Sequence, residues 1–187
     1  MRRYIMPASE RLVTAEEFER MPDDDYHYEL VDGRVVRVSP PGSRHAVLTL
    51  RIGMLLAQHA EAGHLGAVMT DGGFKIATSP DTVRAPDVAF VLQGRIPETG
   101  LPDGYWPGPP DLAVEIKSPG DRPSEIRTKV DDYVARGVRL VWVVDPKKKT
   151  VTAHTPQSPP VTLGADDVLD AGDVIPGFSC TVSRIFD

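Results

Sequence analysis

The sequence predicts an α/β domain built on a mixed central sheet flanked by helices, with additional β-hairpins towards the N- and C-terminal ends. Three observations carry that prediction. The segment Tyr26-His-Tyr-Glu-Leu-Val-Asp-Gly-Arg-Val-Val-Arg-Val38 alternates and holds Asp32-Gly33 at its centre, the strongest short-range signal for a tight β-hairpin. Asp111-Leu-Ala-Val-Glu-Ile-Lys-Ser118 reads as a strand and is followed by a helical pattern ending at Arg136-Gly137. Arg139-Leu-Val-Trp-Val-Val144 is then a nearly all-apolar run of the kind buried on both faces of a sheet. Strand, helix and buried strand together make a βαβ unit, which places the two strands parallel.

The other elements follow from local signals. Val13-Thr-Ala-Glu-Glu-Phe18 opens a short helix: Thr14 caps it, Glu17 closes a capping box, and Val13 staples against Phe18. Pro22 ends that helix, and Asp23, Asp24 and Asp25 form an acidic turn. Pro40, Pro41 and Gly42 break the chain before a helix capped by Ser43, running to Gln58 or Glu61 and stopped by Gly63. Val47, Leu50, Met54 and Ala57 form one stripe on it, predicted to pack on something flat. Residues 66–77 and 82–92 read as strands separated by the Ser79-Pro80-Asp81 turn, with Pro86 suited to a strand beginning or edge. Residues 93–110 hold five of the 18 prolines and four glycines, the signature of a long irregular loop. Asp121 or Ser124 caps the later helix, Asp145-Pro146 and Lys147 to Lys149 turn the chain, and short strands complete it.

At 187 residues and 41% hydrophobic content the chain suits one domain with a full core, spanning residues 1–187. A single cysteine, Cys180, excludes an internal disulfide and fits a reducing compartment. The start, MRRYIMPASERL, lacks the apolar stretch of a signal peptide and no segment has the length of a membrane span, so a cytoplasmic protein without a membrane partner is expected. The net charge of −6 opposes attachment to nucleic acid through a broadly basic surface.

Chemistry is suggested by charge inside apolar runs. On a strand Glu115 and Lys117 project to the same face while Val114 and Ile116 face the other way, which sets an acid beside a base where charge is costly unless paired or bound to metal. Upstream, Ala85-Pro-Asp-Val-Ala-Phe90 carries Asp87 into another apolar strand. The bland reading of Glu115 and Lys117 is a same-strand ion pair at a sheet margin, and of Asp87 a turn acid. Glu125, Lys129 and Tyr133 share a helix face, where an ordinary surface pair accounts for the first two and core packing for the third. Tyr105-Trp106 either stacks on bases or buries in a dimer contact.

The order helix, strand, strand with Pro86-Asp87, strand with Glu115-Ile116-Lys117, helix, strand resembles the core of the PD-(D/E)xK nuclease superfamily, the restriction-endonuclease-like fold. Within it, Tyr28-Glu-Leu-Val-Asp-Gly33, the helix opened by His45, Ala85-Pro-Asp-Val88, Val114-Glu-Ile-Lys-Ser-Pro119 and Trp142-Val-Val-Asp-Pro146 resemble the Uma-two family of bacterial endonucleases, over residues 14–186. The resemblance implies that Asp87 and Glu115 bind metal with the backbone carbonyl of Ile116 as a third ligand, and that Lys117 is the catalytic lysine. It places Glu29 near the same site and His45 beside it. Many relatives have an apolar residue at the position of Lys117 and use a lysine of the following helix, here Lys129, so the acting ammonium is Lys117, Lys129 or both. The implied activity is hydrolysis of DNA by an endonuclease dependent on Mg²⁺, with Mn²⁺ as a substitute, because a hard cation on carboxylates stabilises charge developing on a phosphodiester. A homodimer is expected, since two strand cuts are most simply made by two copies of one site. Two rivals are carried with it: a non-catalytic dimeric interaction protein that keeps the fold, and a hydrolase of RNA or another phosphodiester.

Overall fold

The computed structural model describes residues 4–5, 11–22, 26–38 and 40–187; the acidic turn Asp23 to Asp25 lies outside the described residues. In chain order the elements are β1 (Tyr4–Ile5), α1 (Ala15–Glu19), β2 (His27–Val31), β3 (Arg34–Val38), α2 (Ser43–Ala62), β4 (Gly66–Thr70), β5 (Phe74–Ala77), β6 (Thr82–Arg84) and β7 (Val88–Leu92). They continue with β8 (Trp106–Pro107), β9 (Leu112–Ile116), α3 (Pro123–Ala135), β10 (Leu140–Asp145), β11 (Thr150–Thr155), β12 (Ser158–Leu163), β13 (Val168–Asp170), β14 (Ser179–Thr181) and α4 (Ser183–Phe186).

The central sheet has the order β12-β11-β10-β9-β7-β4 and is mixed: β9 and β10 are parallel and the other pairs antiparallel. The βαβ unit read from the sequence is therefore present as β9-α3-β10. Alternation along the strands divides the core between the two helices. Val88, Phe90, Leu112, Val114 and Ile116 pack with Leu48, Ile52 and Leu56 of α2. Ala89, Val91, Ala113, Val141 and Val143 pack on the other face with Val130 and Tyr133 of α3. Glu115 belongs by parity to the α3 face, which decides which side chains it meets.

A second sheet, β1-β3-β2-β6-β5-β8, stands beside the first. Its hairpin β2–β3 turns at Asp32 and Gly33 with φ of 47° and 73°, as a two-residue turn of the primed class requires. The Thr14 capping box of α1 forms on both sides, with Phe18 buried and Val13 packed beside it.

Four expectations need correction. The strands expected at 66–77 and 82–92 are each broken in two. Asp71 at a φ of 53° followed by Gly72-Gly73 interrupts the first, and Ala85-Pro86-Asp87 interrupts the second, so the chain leaves the central sheet after β4, builds β5 and β6 in the other sheet and returns as β7. The 93–110 loop contributes β8 beside β5, and Trp106 is buried in the core against α3 rather than free for bases or a partner. Neither Asp121 nor Ser124 caps α3; Pro123 is its first residue and Glu125 accepts the Arg122 N–H at 3.2 Å. Gly42, not Ser43, is the N-cap of α2, whose buried face is Leu48, Ile52, Leu56 and Ala60, while Val47, Leu50 and Met54 are exposed. That helix is apolar on two faces, and periodicity alone does not choose between them. Among the described residues no helix is long and apolar enough to cross a membrane.

Candidate active site

The two chain breaks that move the backbone between sheets also bring acids together. Asp71 at the first and Asp87 at the second both line a pocket of about 290 Å³, with Glu29 of β2, His45 of α2, Glu115 of β9 and Lys129 of α3. Asp87 sits just before β7, where Pro86 has ended pairing. Its Oδ2 accepts the backbone N–H of Ile116 at 2.6 Å and lies 3.2 Å from Nε2 of His45. His45 also hydrogen-bonds the Ile116 backbone. Asp87 and Ile116, two of the three groups assigned to a metal, therefore converge on one imidazole.

Glu115 is 5% exposed and faces α3. Its Oε1 accepts the Tyr133 hydroxyl at 2.8 Å and its Oε2 accepts Nζ of Lys129 at 2.9 Å. Lys129 also lies 3.1 Å from Oε1 of Glu29, and Glu29 Oε2 accepts Nη1 of Arg84 at 2.7 Å. Arg84 is fully buried, and its second nitrogen pairs with Asp132 of α3. The spacing of Lys129 and Tyr133, four residues apart on one helix face, presents an ammonium and a hydroxyl to one carboxylate.

Burial pushes the Glu115 carboxyl up to about 7, with Lys129 opposing and Asp87 and Glu29 adding to the rise. For Glu29 burial also works upward, but Lys129 and Arg84 together hold it down at about 2. Burial would lower Lys129, yet Glu115 and Glu29 outweigh it and keep the ammonium protonated. Burial would likewise lower His45, and the hydrogen bond and charge of Asp87 raise it instead. Asp71 is raised by burial and then by Asp87. Tyr133 is raised well above its ordinary value, by burial first and Glu115 second, so it serves as a hydrogen-bond donor.

Glu29, His45, Asp87, Glu115, Ile116 and Lys129 are thus brought together, and Lys117 is not. Strand β9 ends at Ile116; the Lys117 N–H still pairs with the Val144 carbonyl, but its side chain turns to Asp145 at the end of β10, 3.2 Å away. The strand alternation that would set Lys117 beside Glu115 stops one residue too early. Sequence reasoning missed Asp71 and Arg84, and it read Tyr133 as packing only. Arg84 had a visible signal, a guanidinium inside Thr82-Val-Arg-Ala85 just ahead of Pro86-Asp87.

The donor set suits a hard cation. The Asp87 carboxylate ahead of β7, the Glu115 carboxylate of β9 and a main-chain carbonyl all offer oxygen. Among the described residues no three His, Cys, Asp or Glu side chains form a cage by themselves.

The fold has known counterparts. The family described as "Uma2: Putative restriction endonuclease" matches residues 15–183. A solved structure from Anabaena variabilis ATCC 29413, titled a "putative nuclease belonging to DUF820", aligns with a TM-score of 0.82 at 18% identity, covering 93% of this chain and 97% of that one. At that identity the likeness is one of fold, the mixed sheet between α2 and α3. No curated protein matches the chain.

Proposed function

The chain belongs to the Uma2 family, and from that membership we propose that it is a Mg²⁺-dependent endonuclease hydrolysing DNA phosphodiester bonds in the Asp87–Glu115–Lys129 pocket. One observation carries the reading: Asp87, just ahead of β7, and Glu115 of β9 line one pocket and Asp87 helps to raise Glu115, while the ammonium of Lys129 pairs with Glu115 and Glu29. The residues that would hold the cation are Asp87, Glu115 and the carbonyl of Ile116, with Mn²⁺ as substitute. When bound, it would neutralise charge developing on the phosphoryl oxygens.

The chain's own residues divide the remaining work. Lys129, kept protonated by Glu115 and Glu29, is an electrostatic partner for a phosphoryl oxygen and not a proton acceptor. Tyr133 fixes the rotamer of Glu115 through its hydroxyl. His45 orients Asp87. Lys117 stands outside this group.

A homodimer completes the reading. β4 is the last strand of the central sheet and carries no charge, and α2 beside it exposes Val47, Leu50 and Met54, each more than half accessible. These three side chains would form part of the roughly 800 Å² per partner that a stable dimer buries. A twofold axis at this edge pairs β4 with its copy antiparallel and packs α2 on α2. Sedimentation of the wild type as a dimer and of Leu50→Glu as a monomer is expected; an unchanged mass in the variant removes this face.

The activity is tested by calorimetric titration of Mg²⁺ and Mn²⁺ into the wild type and Asp87→Ala, with plasmid nicking and matched DNA and RNA oligonucleotides on the same samples. Metal binding and DNA cleavage that both vanish in the variant are expected. Cleavage of RNA in preference to DNA moves the substrate assignment. An absence of metal binding by the wild type leaves a non-catalytic interaction protein.

A further inference from the structure

A concentration of positive charge lies outside the pocket, at its rim. Lys117 follows β9, Lys147, Lys148 and Lys149 form the turn between β10 and β11, and Arg44 stands in the first turn of α2. Three separate elements thus meet at one end of the central sheet, and contacts tie them together. Arg44 Nη2 donates to the Pro146 carbonyl at 2.7 Å, and Lys117 Nζ reaches Asp145 at 3.2 Å. The second oxygen of Asp145 accepts the backbone N–H groups of Lys147 and Lys148 at 3.1 and 3.0 Å. Asp145 therefore shapes the turn while the three lysine side chains stay exposed.

This ledge gathers five basic residues at one corner, where Asp145 pairs with the Lys117 side chain and fixes the lysine turn through its backbone, in a chain whose net charge is −6. It is continuous with the pocket: His45 follows Arg44, and Lys117 lies between Ile116 and Ser118, all three neighbours being pocket residues. The first turn of α2 carries no acidic residue and Gly42 offers no side-chain cap, so its N–H groups also face this corner without competition from a carboxylate.

We propose that the ledge grips the phosphate backbone of duplex DNA on one side of the scissile bond, with Lys117 a phosphate-binding ammonium and not a hydrolytic one. The proposal rests on the hydrolase reading for its ligand and extends it by giving the substrate a direction, from the pocket over Lys117 to the β10–β11 turn. It accounts for an acidic protein engaging a polyanion: binding needs local cations at the site, not a basic surface everywhere. It also accounts for a lysine where the chemistry of the pocket has no place for it.

The test is fluorescence-anisotropy titration of a labelled DNA duplex in Ca²⁺ across a salt series, using the wild type, Lys147→Ala/Lys148→Ala/Lys149→Ala, Lys117→Ala and Lys117→Arg, with cleavage in Mg²⁺ measured in parallel. The triple variant is expected to bind about tenfold more weakly, with the slope of log affinity against log salt smaller by about 2. Its KM rises while kcat at saturating duplex stays within about twofold. Lys117→Ala loses about one unit of slope and Lys117→Arg restores it. Unchanged affinity and slope in the variants of an enzyme that cuts DNA overturn the ledge and leave the hydrolase reading intact. A kcat collapse in Lys117→Ala with an unchanged slope overturns the role given to that lysine. Weakened duplex binding in the variants of a protein that cuts nothing supports the ledge and removes the hydrolase reading, and a wild type that binds no duplex at low salt overturns the ledge.

Discussion

Two buried carboxylates touch the same ammonium and are treated in opposite ways. Glu29 has Lys129 at 3.1 Å on one oxygen and Arg84 at 2.7 Å on the other, and its carboxyl is held at about 2. Glu115 has Lys129 at 2.9 Å and a neutral hydroxyl, is crowded by Asp87, and is pushed up to about 7. The first region is closed: Arg84 joins β2, β6 and α3 through Glu29 and Asp132, and Arg136 extends the chain of pairs to Asp32. The second region is open, with acid in excess. A compensated buried acid is part of the scaffold, and an uncompensated one beside a pocket is a place for a cation.

Breaking the closed region gives the largest expected effect. Arg84→Met leaves Glu29 short of a cation and Asp132 without its buried partner, and is expected to cost about 3–5 kcal/mol in urea unfolding. Arg84→Lys recovers only part, because an ammonium does not reproduce the fork that reaches two carboxylates. A loss below about 1 kcal/mol would show that the network is not what holds β6 to α3.

The pH dependence separates the two acids by sign. Glu29 is depressed in the fold, so its contribution is present above its ordinary value of 4.5 and is lost as pH falls towards 2. The lost part is about 3 kcal/mol, and Glu29→Gln flattens this acid limb of the stability curve. Glu115 is raised, so it burdens the fold in the other direction: the burden is absent below 4.5, grows as pH rises to about 7 and is complete above. Glu115→Gln should therefore gain on the wild type by about 3 kcal/mol between pH 4.5 and pH 8. Parallel pH curves for the two variants would erase the distinction.

The closed region was the harder one to read in the sequence, for a physical reason. Local signals reached the Asp32-Gly33 turn, α2, α3 and the β9-α3-β10 unit, because each depends on residues within a few positions. Arg84 meets Glu29 across 55 residues and Asp132 across 48, and no periodicity records such a pairing. The pocket acids Asp87 and Glu115 were visible because an acid in an apolar run stands out, whereas Lys117 was expected beside Glu115 because alternation was carried past the end of β9 at Ile116. The sheet switches at Asp71 and at Pro86-Asp87 were read as continuous strands, since strand propensity runs on through a break that only sheet packing imposes.

Lys129 belongs to both regions, and its removal gives the smallest stability effect and the sharpest division between them. In Lys129→Met, Glu29 keeps Arg84, and Glu115, already near neutrality at about 7, meets the loss of its cation by taking up a proton. The expected cost is about 1 kcal/mol near pH 7, well under that of Arg84→Met, because one of the two stranded acids has a way to discharge. That proton is measurable: unfolding Lys129→Met at pH 7 should release about half a proton more than unfolding the wild type, whose Glu115 is already about half protonated there, read from the pH dependence of its stability. Cleavage should be lost in the same folded protein, since the ammonium proposed to face the phosphoryl group is gone. A variant that unfolds as readily as Arg84→Met would place Lys129 in the scaffold, and the open region would then need another source for its cationic partner.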